Sequence, residues 1–431
     1  MTTGPTAVAA DKAGRIADIP GLGAAGRSGR TVYPLDAASL IPLPQGSRLY
    51  LLPGRRAVGF VGNGEISCAG KRFAAVAAFL PPGYVAFSLA AFIREPRARV
   101  LPLYCYCAVC WHRGRFCVPA ARVDHDSKHD PCRFDAAEVR RQVTRRLKES
   151  PGNRLMAHHG RVCALRYGCP NAANLFLRRW EAPIAVAGGC NAVCRGCISK
   201  QDSDSNPSPQ ERIGFTPTVE EIVEIAVPHL ERAPRAMISF GQGCEGEPLL
   251  QGRLIEDAIR EIRRRTGRGA IHLNTNGSKP RVVERLAAAG LNSIRISLNS
   301  AREPLYAAYY RCRGYSMRDV LDSFKVARKG GLWVSVNYLT FPGVTDSEAE
   351  FAALSSLLSS AKPDMIQWRN LNIDPDVYMD AVEEALAAGP PAAANGMQEM
   401  MGIPSLLRLV EKKFPRVRTG YFNPAVRPAR S

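Results

Sequence analysis

The stretch Ile184-Ala-Val-Ala-Gly-Gly-Cys190-Asn-Ala-Val-Cys194-Arg-Gly-Cys197 decides how the rest of this chain reads. Four apolar residues make a strand candidate, two glycines turn out of it, and three cysteines follow at Cys-x₃-Cys-x₂-Cys spacing. Thiolates are the usual ligands of iron–sulfur clusters, and closely spaced cysteines on a loop are how a chain presents them. Three ligands rather than four is the mechanistic clue. A four-iron cluster held by three protein sulfurs keeps one iron open for another molecule. Structural zinc favours paired knuckles with four ligands, and residues 198–217 contain neither cysteine nor histidine. A disulfide framework fits poorly: the 13 cysteines are odd in number, and no secretory signal is read. Reduced thiols in a cytoplasmic protein are therefore expected.

Outward from that stretch, apolar runs alternate with helix-period segments. Strands are predicted at Ile184–Ala187, Ala236–Phe240, Ala270–Leu273, Ser293–Leu298, Trp333–Leu339 and Met365–Arg369. Helices are predicted at Val219–Leu230, Leu254–Arg265, Pro280–Ala289, Met317–Arg328 and Asp346–Leu358. Repeated strand–helix order implies parallel strands and a full or partial α/β barrel, which places function on the loops after the strands.

The polar motifs fall on those loops. Gly241-Gln-Gly-Cys-Glu-Gly246-Glu247-Pro248 follows the second strand. Its G-x-G-x-x-G spacing matches a dinucleotide fingerprint. Glu245 and Glu247 would set like charge against a pyrophosphate, however, and no acidic residue ends the next strand. That strand ends instead in Leu273-Asn274-Thr-Asn276-Gly277, and the fourth in Ile296-Ser297-Leu298-Asn299-Ser300. Alternation puts Ser297 and Asn299 on one face.

Cysteine spacing, Gly-Glu-Pro and Asn-Thr-Asn-Gly in this order resemble the radical S-adenosylmethionine (SAM) enzymes, over residues 181 to about 375. The resemblance implies a partial (β/α)₆ TIM-like barrel. It implies a [4Fe–4S] cluster on Cys190, Cys194 and Cys197, with SAM chelating the open iron. Gly246, Glu247 and Pro248 would then receive the SAM ammonium. Asn274 and Asn276 would offer amides at the barrel mouth. Ser297 and Asn299 would bond the ribose or carboxylate, and Arg302 the carboxylate. A reductant such as flavodoxin or ferredoxin would reduce the cluster, SAM would be cleaved to a 5′-deoxyadenosyl radical, and that radical would abstract a hydrogen atom from substrate. The aromatic residue usual between the second and third cysteines is absent, since Arg195-Gly196 stands there. Gln367, Arg369 and the Leu371–Ile373 backbone are candidates for the adenine rim or the substrate, and Glu245 for the substrate side.

The formal net charge of +19 is uneven. Residues 1–180 hold 27 Lys and Arg against 11 Asp and Glu, residues 181–431 hold 31 against 28. Such a basic half suits RNA, an acidic peptide or simply a solvated surface. The Gly- and Ala-rich start is read as disordered. Strands are predicted at Arg48–Leu52, Ala57–Val61, Tyr84–Ala90, Val100–Tyr106 and Arg115–Val118, and helix through 135–179 behind an Asp135-Ala-Ala-Glu138 cap. Phe73 to Ile93 is apolar, but Pro81-Pro82-Gly83 interrupts it, so two buried strands and no membrane span are expected. The division is a disordered tail (1–45), a small β-rich domain (46–134), a helical connector (135–180), the barrel (181–375) and a C-terminal helical extension (376–431), with a Pro/Ala/Gly linker at 389–396. Cys105, Cys107, Cys110 and Cys117 are either a second metal site or small core residues. His158, His159, Cys163 and Cys169 form a further polar group before the barrel. Two substrate classes stay open, peptide or protein and RNA. A noncatalytic iron–sulfur or zinc-binding module is the alternative to an enzyme.

Overall fold

The structure is a computed structural model and describes residues 4–62, 64–70, 73–201, 207–388 and 400–426. Seven parallel strands form one sheet in sequence order: Glu181–Pro183, Met237–Phe240, Ala270–Thr275, Ser293–Leu298, Trp333–Thr340, Met365–Asn370 and Arg418–Gly420. Helices at Val219–Arg232, Gly252–Arg265, Pro280–Ala289, Met317–Lys329 and Glu348–Ala361 run between them. Sequential order with a helix in each crossover is the winding of a barrel wall. Local signals set the helix ends. Thr218 and Glu221 make a reciprocal capping box, and Gly290, in the left-handed region, stops the third helix.

Each strand divides its residues between two buried faces. Ile294, Ile296 and Leu298 pack outward under the helices and are fully buried. Arg295, Ser297 and Asn299 alternate with them and project into the barrel, as do Ser335 and Asn337 on the next strand. The first strand lies three residues earlier than the apolar run suggests, at 181–183. Residues 184–187 leave the ladder to join the cysteine loop, with the Ile184 amide still donating to the Ser239 carbonyl at 2.9 Å.

Two expectations about the chain ends are corrected. Residues 1–45 are not a disordered tail: Thr6–Ala10, Ile16–Ser28, Thr31–Pro34 and Leu40–Pro42 are strands of a twelve-stranded N-terminal sheet. Their small side chains serve close packing rather than disorder, and a Cβ on Gly26 would meet Ser88 Oγ at 2.2 Å. The β-rich unit therefore begins near residue 6, not 46. The C-terminal extension is not only helical. After helices Pro375–Ala387 and Ile403–Lys413 the chain adds strand Arg418–Gly420 beside Met365–Asn370. The linker expected at 389–396 lies outside the described residues. Val100–Tyr106 forms no strand. Phe73–Ile93 does turn at 81–83 between strands Ala74–Phe79 and Tyr84–Ala86, and no helix among the described residues is long and apolar enough to cross a membrane.

The uneven charge has a structural use. Arg55 and Asp374 form a fully buried pair at 2.8 Å, Arg27 reaches Asp376 at 2.7 Å, and Arg30 reaches Asp380 and Glu383. The basic N-terminal sheet is thereby docked on the acidic start of helix Pro375–Ala387. Tyr421, Phe422 and Asn423 then turn into the barrel. The Tyr421 and Phe422 amides donate to Asp124 at 2.9 and 3.0 Å. Asn423 donates to Glu181 at 2.9 Å and accepts from Arg295 at 3.2 Å and Gln367 at 3.1 Å. Gln367 is thus fully buried inside the barrel, not at an adenine rim. Burial works to raise the Glu181 carboxyl, but Lys128, His272 and the Ser239 hydroxyl together hold it down at about 2.

Two outcomes follow. Asp374→Ala strands Arg55 without its partner and is expected to cost on the order of 3–5 kcal/mol, whereas Arg30→Ala, on an exposed network, costs under about 1 kcal/mol. Chemical unfolding of both variants reads the difference. Burial depresses His129 and His229 to about 4 and His272 to about 3. The unfolded chain then takes up protons near pH 6.5 that the folded chain refuses, so unfolding curves should show stability falling as pH drops from about 6.5 toward 4.

Candidate cluster and cofactor site

The three cysteines occupy a loop with little backbone of its own to hold it, so neighbouring elements supply the bonds. The Val193 and Arg195 amides each donate at 3.0 Å, to the Tyr310 and Tyr309 carbonyls, and Arg313 donates to the Asn191 carbonyl at 2.8 Å. The loop is thus laid along the end of helix Glu303–Tyr310. Tyr309 and Tyr310 are buried on Cys194, and Cys312 sits opposite Ala192. A Cβ on Gly196 would lie 2.8 Å from the Tyr309 hydroxyl. Tyr309 and the Asn372 carbonyl therefore leave no room for a side chain at position 196.

The thiols are not equivalent. Burial opposes ionisation of all three and pushes Cys190 and Cys194 up. At Cys197 burial is outweighed by Ser199 and by Arg212, whose Nη2 donates to Sγ at 3.4 Å, and the thiol falls below its ordinary range. The three thiols share one loop and stand close enough for their charges to act on one another.

The Gly241–Gln251 loop is fixed by its two carboxylates, in different ways. Glu245 accepts from Val186 at 2.8 Å and Ala187 at 2.9 Å on one oxygen, and from the Gly241 and Gln242 amides on the other. Four donors fill the roughly four acceptor positions of a carboxylate, so Glu245 faces no substrate. It clamps the root of the cysteine loop instead. Glu247 accepts from Leu249, Thr275 and the Asn276 amide. Three donors leave it one acceptor position. Burial raises both carboxyls to about 7. Gly246 must be glycine: a Cβ there would stand 1.8 Å from the Gly189 carbonyl oxygen. The Glu247 amide donates to that same oxygen at 2.9 Å. Pro248 begins a buried turn that Glu247 caps.

The remaining sequence candidates divide. Asn276 donates to Asn191 at 2.9 Å, tying the third-strand loop to the cysteine loop. Asn274 lies deeper, donating to the Phe240 carbonyl at 3.0 Å and bonded to His272. Ser297 accepts from Asn337 at 2.9 Å. Asn299 donates to Leu305 and Tyr378, while the Oδ1 atoms of both Asn299 and Asn337 are buried without a partner. Arg302, half-buried, caps helix Glu303–Tyr310 in the field of Glu350. Glu350 itself accepts from Ser300 and Ala301 at 2.6 Å each. Arg369 lies over the Tyr421 ring and donates to its carbonyl. Ser199, Arg212, Tyr309 and Glu350 were not legible from the motifs. Only Tyr306-x-x-Tyr309-Tyr310, an aromatic run at helical spacing, carries a signal that could have found one of them.

The second cysteine group is core. Cys105 and Cys107 pack in one apolar cluster, Cys110 and Cys117 pair across strands in another, and burial pushes Cys105 and Cys110 up to about 12.

Glu245→Gln places an amide NH₂ against backbone N–H donors. Gly246→Ala drives a methyl into Gly189. Both variants are expected to lose most bound iron after anaerobic reconstitution, with Glu245→Gln also unfolding at lower temperature, while Glu247→Gln keeps iron and weakens SAM binding at least tenfold. Iron assay, thermal melts and SAM titration check the three.

The model of the Radical SAM superfamily matches residues 184–354. Curated relatives include an uncharacterised protein of Methanocaldococcus jannaschii, 23% identical over 178 residues, covering 40% of each chain. Molybdenum cofactor biosynthesis protein 1 of Homo sapiens is 27% identical over 180 residues, covering 40% of this chain and 26% of that protein. The chain thus spans well under half the length of these relatives. Among solved structures it is similar to methylornithine synthase, with TM-score 0.37 and 16% identity over 57% of this chain and 68% of that one. A radical SAM methyltransferase from Sphaerobacter thermophilus gives TM-score 0.35 and 18% identity over 49% and 64%. The family match takes in the whole Cys190–Cys197 loop and the clamp built on Glu245 and Glu247, so residues 184–354 of this enzyme form a radical SAM domain.

Proposed function

We propose that this enzyme holds a [4Fe–4S] cluster on Cys190, Cys194 and Cys197, binds SAM at the open iron, and cleaves it reductively to act on a substrate in the barrel mouth. The observation that carries the reading is the pairing of carboxylates behind the cysteine loop: Glu245 saturated by four backbone donors, and Glu247 with one acceptor position left. Held by Cys190, Cys194 and Cys197, a reduced cluster would supply the electron for reductive cleavage of SAM.

The chain's own part is placement. Arg212 and Ser199 favour the thiolate of Cys197. Gly246, Glu247 and Pro248 set the acceptor for the SAM ammonium, a cation that needs a charge-assisted partner. Asn276 holds the third-strand loop against Asn191, and Asn274 supports it from below. Asn299, with Ser297 and its partner Asn337, offers unpaired acceptors to sugar hydroxyls, and Arg302 a guanidinium to the SAM carboxylate. Tyr309 and Tyr310 keep water off the cysteine loop.

The substrate we favour is a peptide or protein. Arg27, Arg30, Arg55, Arg122 and Arg154 of the basic half are spent on intramolecular carboxylates, which weakens the case for RNA.

Anaerobic reconstitution with iron and sulfide is expected to give about four irons per chain and a reduced-state EPR signal that changes on adding SAM. Cys→Ala at any of the three positions should lose both. A protein that takes up zinc and no iron would support a noncatalytic module instead. RNA filter binding should show no steep loss of affinity with salt, and a steep slope would restore the RNA reading.

A further inference from the structure

Away from the cluster loop, three metal-binding side chains meet between the helical connector and the barrel. One ring nitrogen of His158 and the sulfurs of Cys163 and Cys244 all lie within 4.8 Å of one another. Cys163 is 1% and Cys244 6% exposed, and His158 Nε2 is buried without a hydrogen-bond partner. A buried polar atom left unpaired needs an explanation.

The backbone supplies one. The helix Arg154–His158 continues as a π-helix over His159–Arg166, a rare form that recurs at functional sites. In an α-helix, residues five apart point to different sides. The i→i+5 winding of a π-turn stacks them, so it brings Cys163 beneath His158. The third group arrives from elsewhere: Cys244 stands in the Gly241–Gln251 loop, one residue before the clamp Glu245. Two thiols packed as core hydrophobes would need neither the π-turn nor an imidazole beside them.

We propose that His158, Cys163 and Cys244 form a site for a thiophilic divalent cation, zinc foremost, that staples the connector to the loop carrying Glu245 and Glu247. Two sulfurs and an imidazole are a zinc donor set, and tetrahedral bonds of 2.0–2.3 Å put such ligands ~3.5–3.8 Å apart, inside the observed spread. Binding releases the two thiol protons and leaves one coordination position. Cys169, whose amide donates to the Cys163 carbonyl at 2.9 Å and which lies near enough to Cys244 to feel its charge, is the candidate to fill it.

The test uses the full chain with Cys190, Cys194 and Cys197 all replaced by alanine, so its outcome is independent of cluster binding and SAM cleavage. After loading with zinc and gel filtration, about one zinc per chain should remain. Cobalt(II) in its place should show thiolate-to-metal charge transfer and tetrahedral ligand-field bands. Adding Cys163→Ser or Cys244→Ser should remove the charge-transfer band and the stoichiometric metal. Should those variants misfold, zinc X-ray absorption on the parent protein must still report two sulfurs and an imidazole nitrogen in the first shell. Metal below about one in five chains, a cobalt spectrum indifferent to both serine variants, an absorption spectrum without sulfur, or a mapped Cys163–Cys244 disulfide would each overturn the proposal.

Discussion

The Glu245 carboxylate is the interaction on which the candidate site depends. Its two oxygens gather amides from Val186 and Ala187, at the root of the cysteine loop, and from Gly241 and Gln242, at the start of the next loop. Hydrogen bonds to a charged acceptor in a dry interior are the strong kind, and two of these four reach amides 59 and 58 residues away in sequence. Once the loops are joined, Gly246 has no room for a side chain and the Glu247 amide is directed at Gly189. The carboxylate that remains able to accept one more donor therefore stands at a fixed place beside Cys190.

The barrel around that clamp is closed by both ends of the chain. Strand Arg418–Gly420 extends the wall, Asn423 enters the polar interior, and Asp124 with Lys128 hold it from the N-terminal side. A polar interior demands this closure. Glu181, His272, Arg295 and Gln367 are buried, and the bonds through Asn423 satisfy most of what water would otherwise have to reach. The charge asymmetry between the two halves belongs to the same construction, because the arginines of the N-terminal sheet meet the carboxylates of the helix that follows the sixth strand.

Most of the barrel was legible because period and punctuation agree there: five of six strands and all five connecting helices lie where the apolar runs place them, within a few residues. The first strand was displaced because Ile184–Ala187 is apolar for a different reason, burial beneath a loop rather than pairing in a sheet. The N-terminal strands were missed because Ala and Gly signal low hydrophobicity while serving close approach, as at Gly26. Strand Arg418–Gly420 is too short to carry a pattern. Of the site, the sequence motifs reach the cysteines and Glu247. They cannot separate Glu245 from Glu247, since only the count of donors at each oxygen does so, and Arg212 and Tyr309 arrive from elements that no local spacing connects to the cysteines.

The central claim is that three thiols and Glu247 hold a cluster and SAM in register for cleavage. Its most direct measurement is the yield of 5′-deoxyadenosine when the reconstituted protein is mixed anaerobically with dithionite and SAM. The account predicts steady production that Cys194→Ala abolishes and Glu247→Gln reduces at least tenfold at fixed iron content. Production at the level of the Cys194→Ala control, by a protein that carries its full iron, would contradict it.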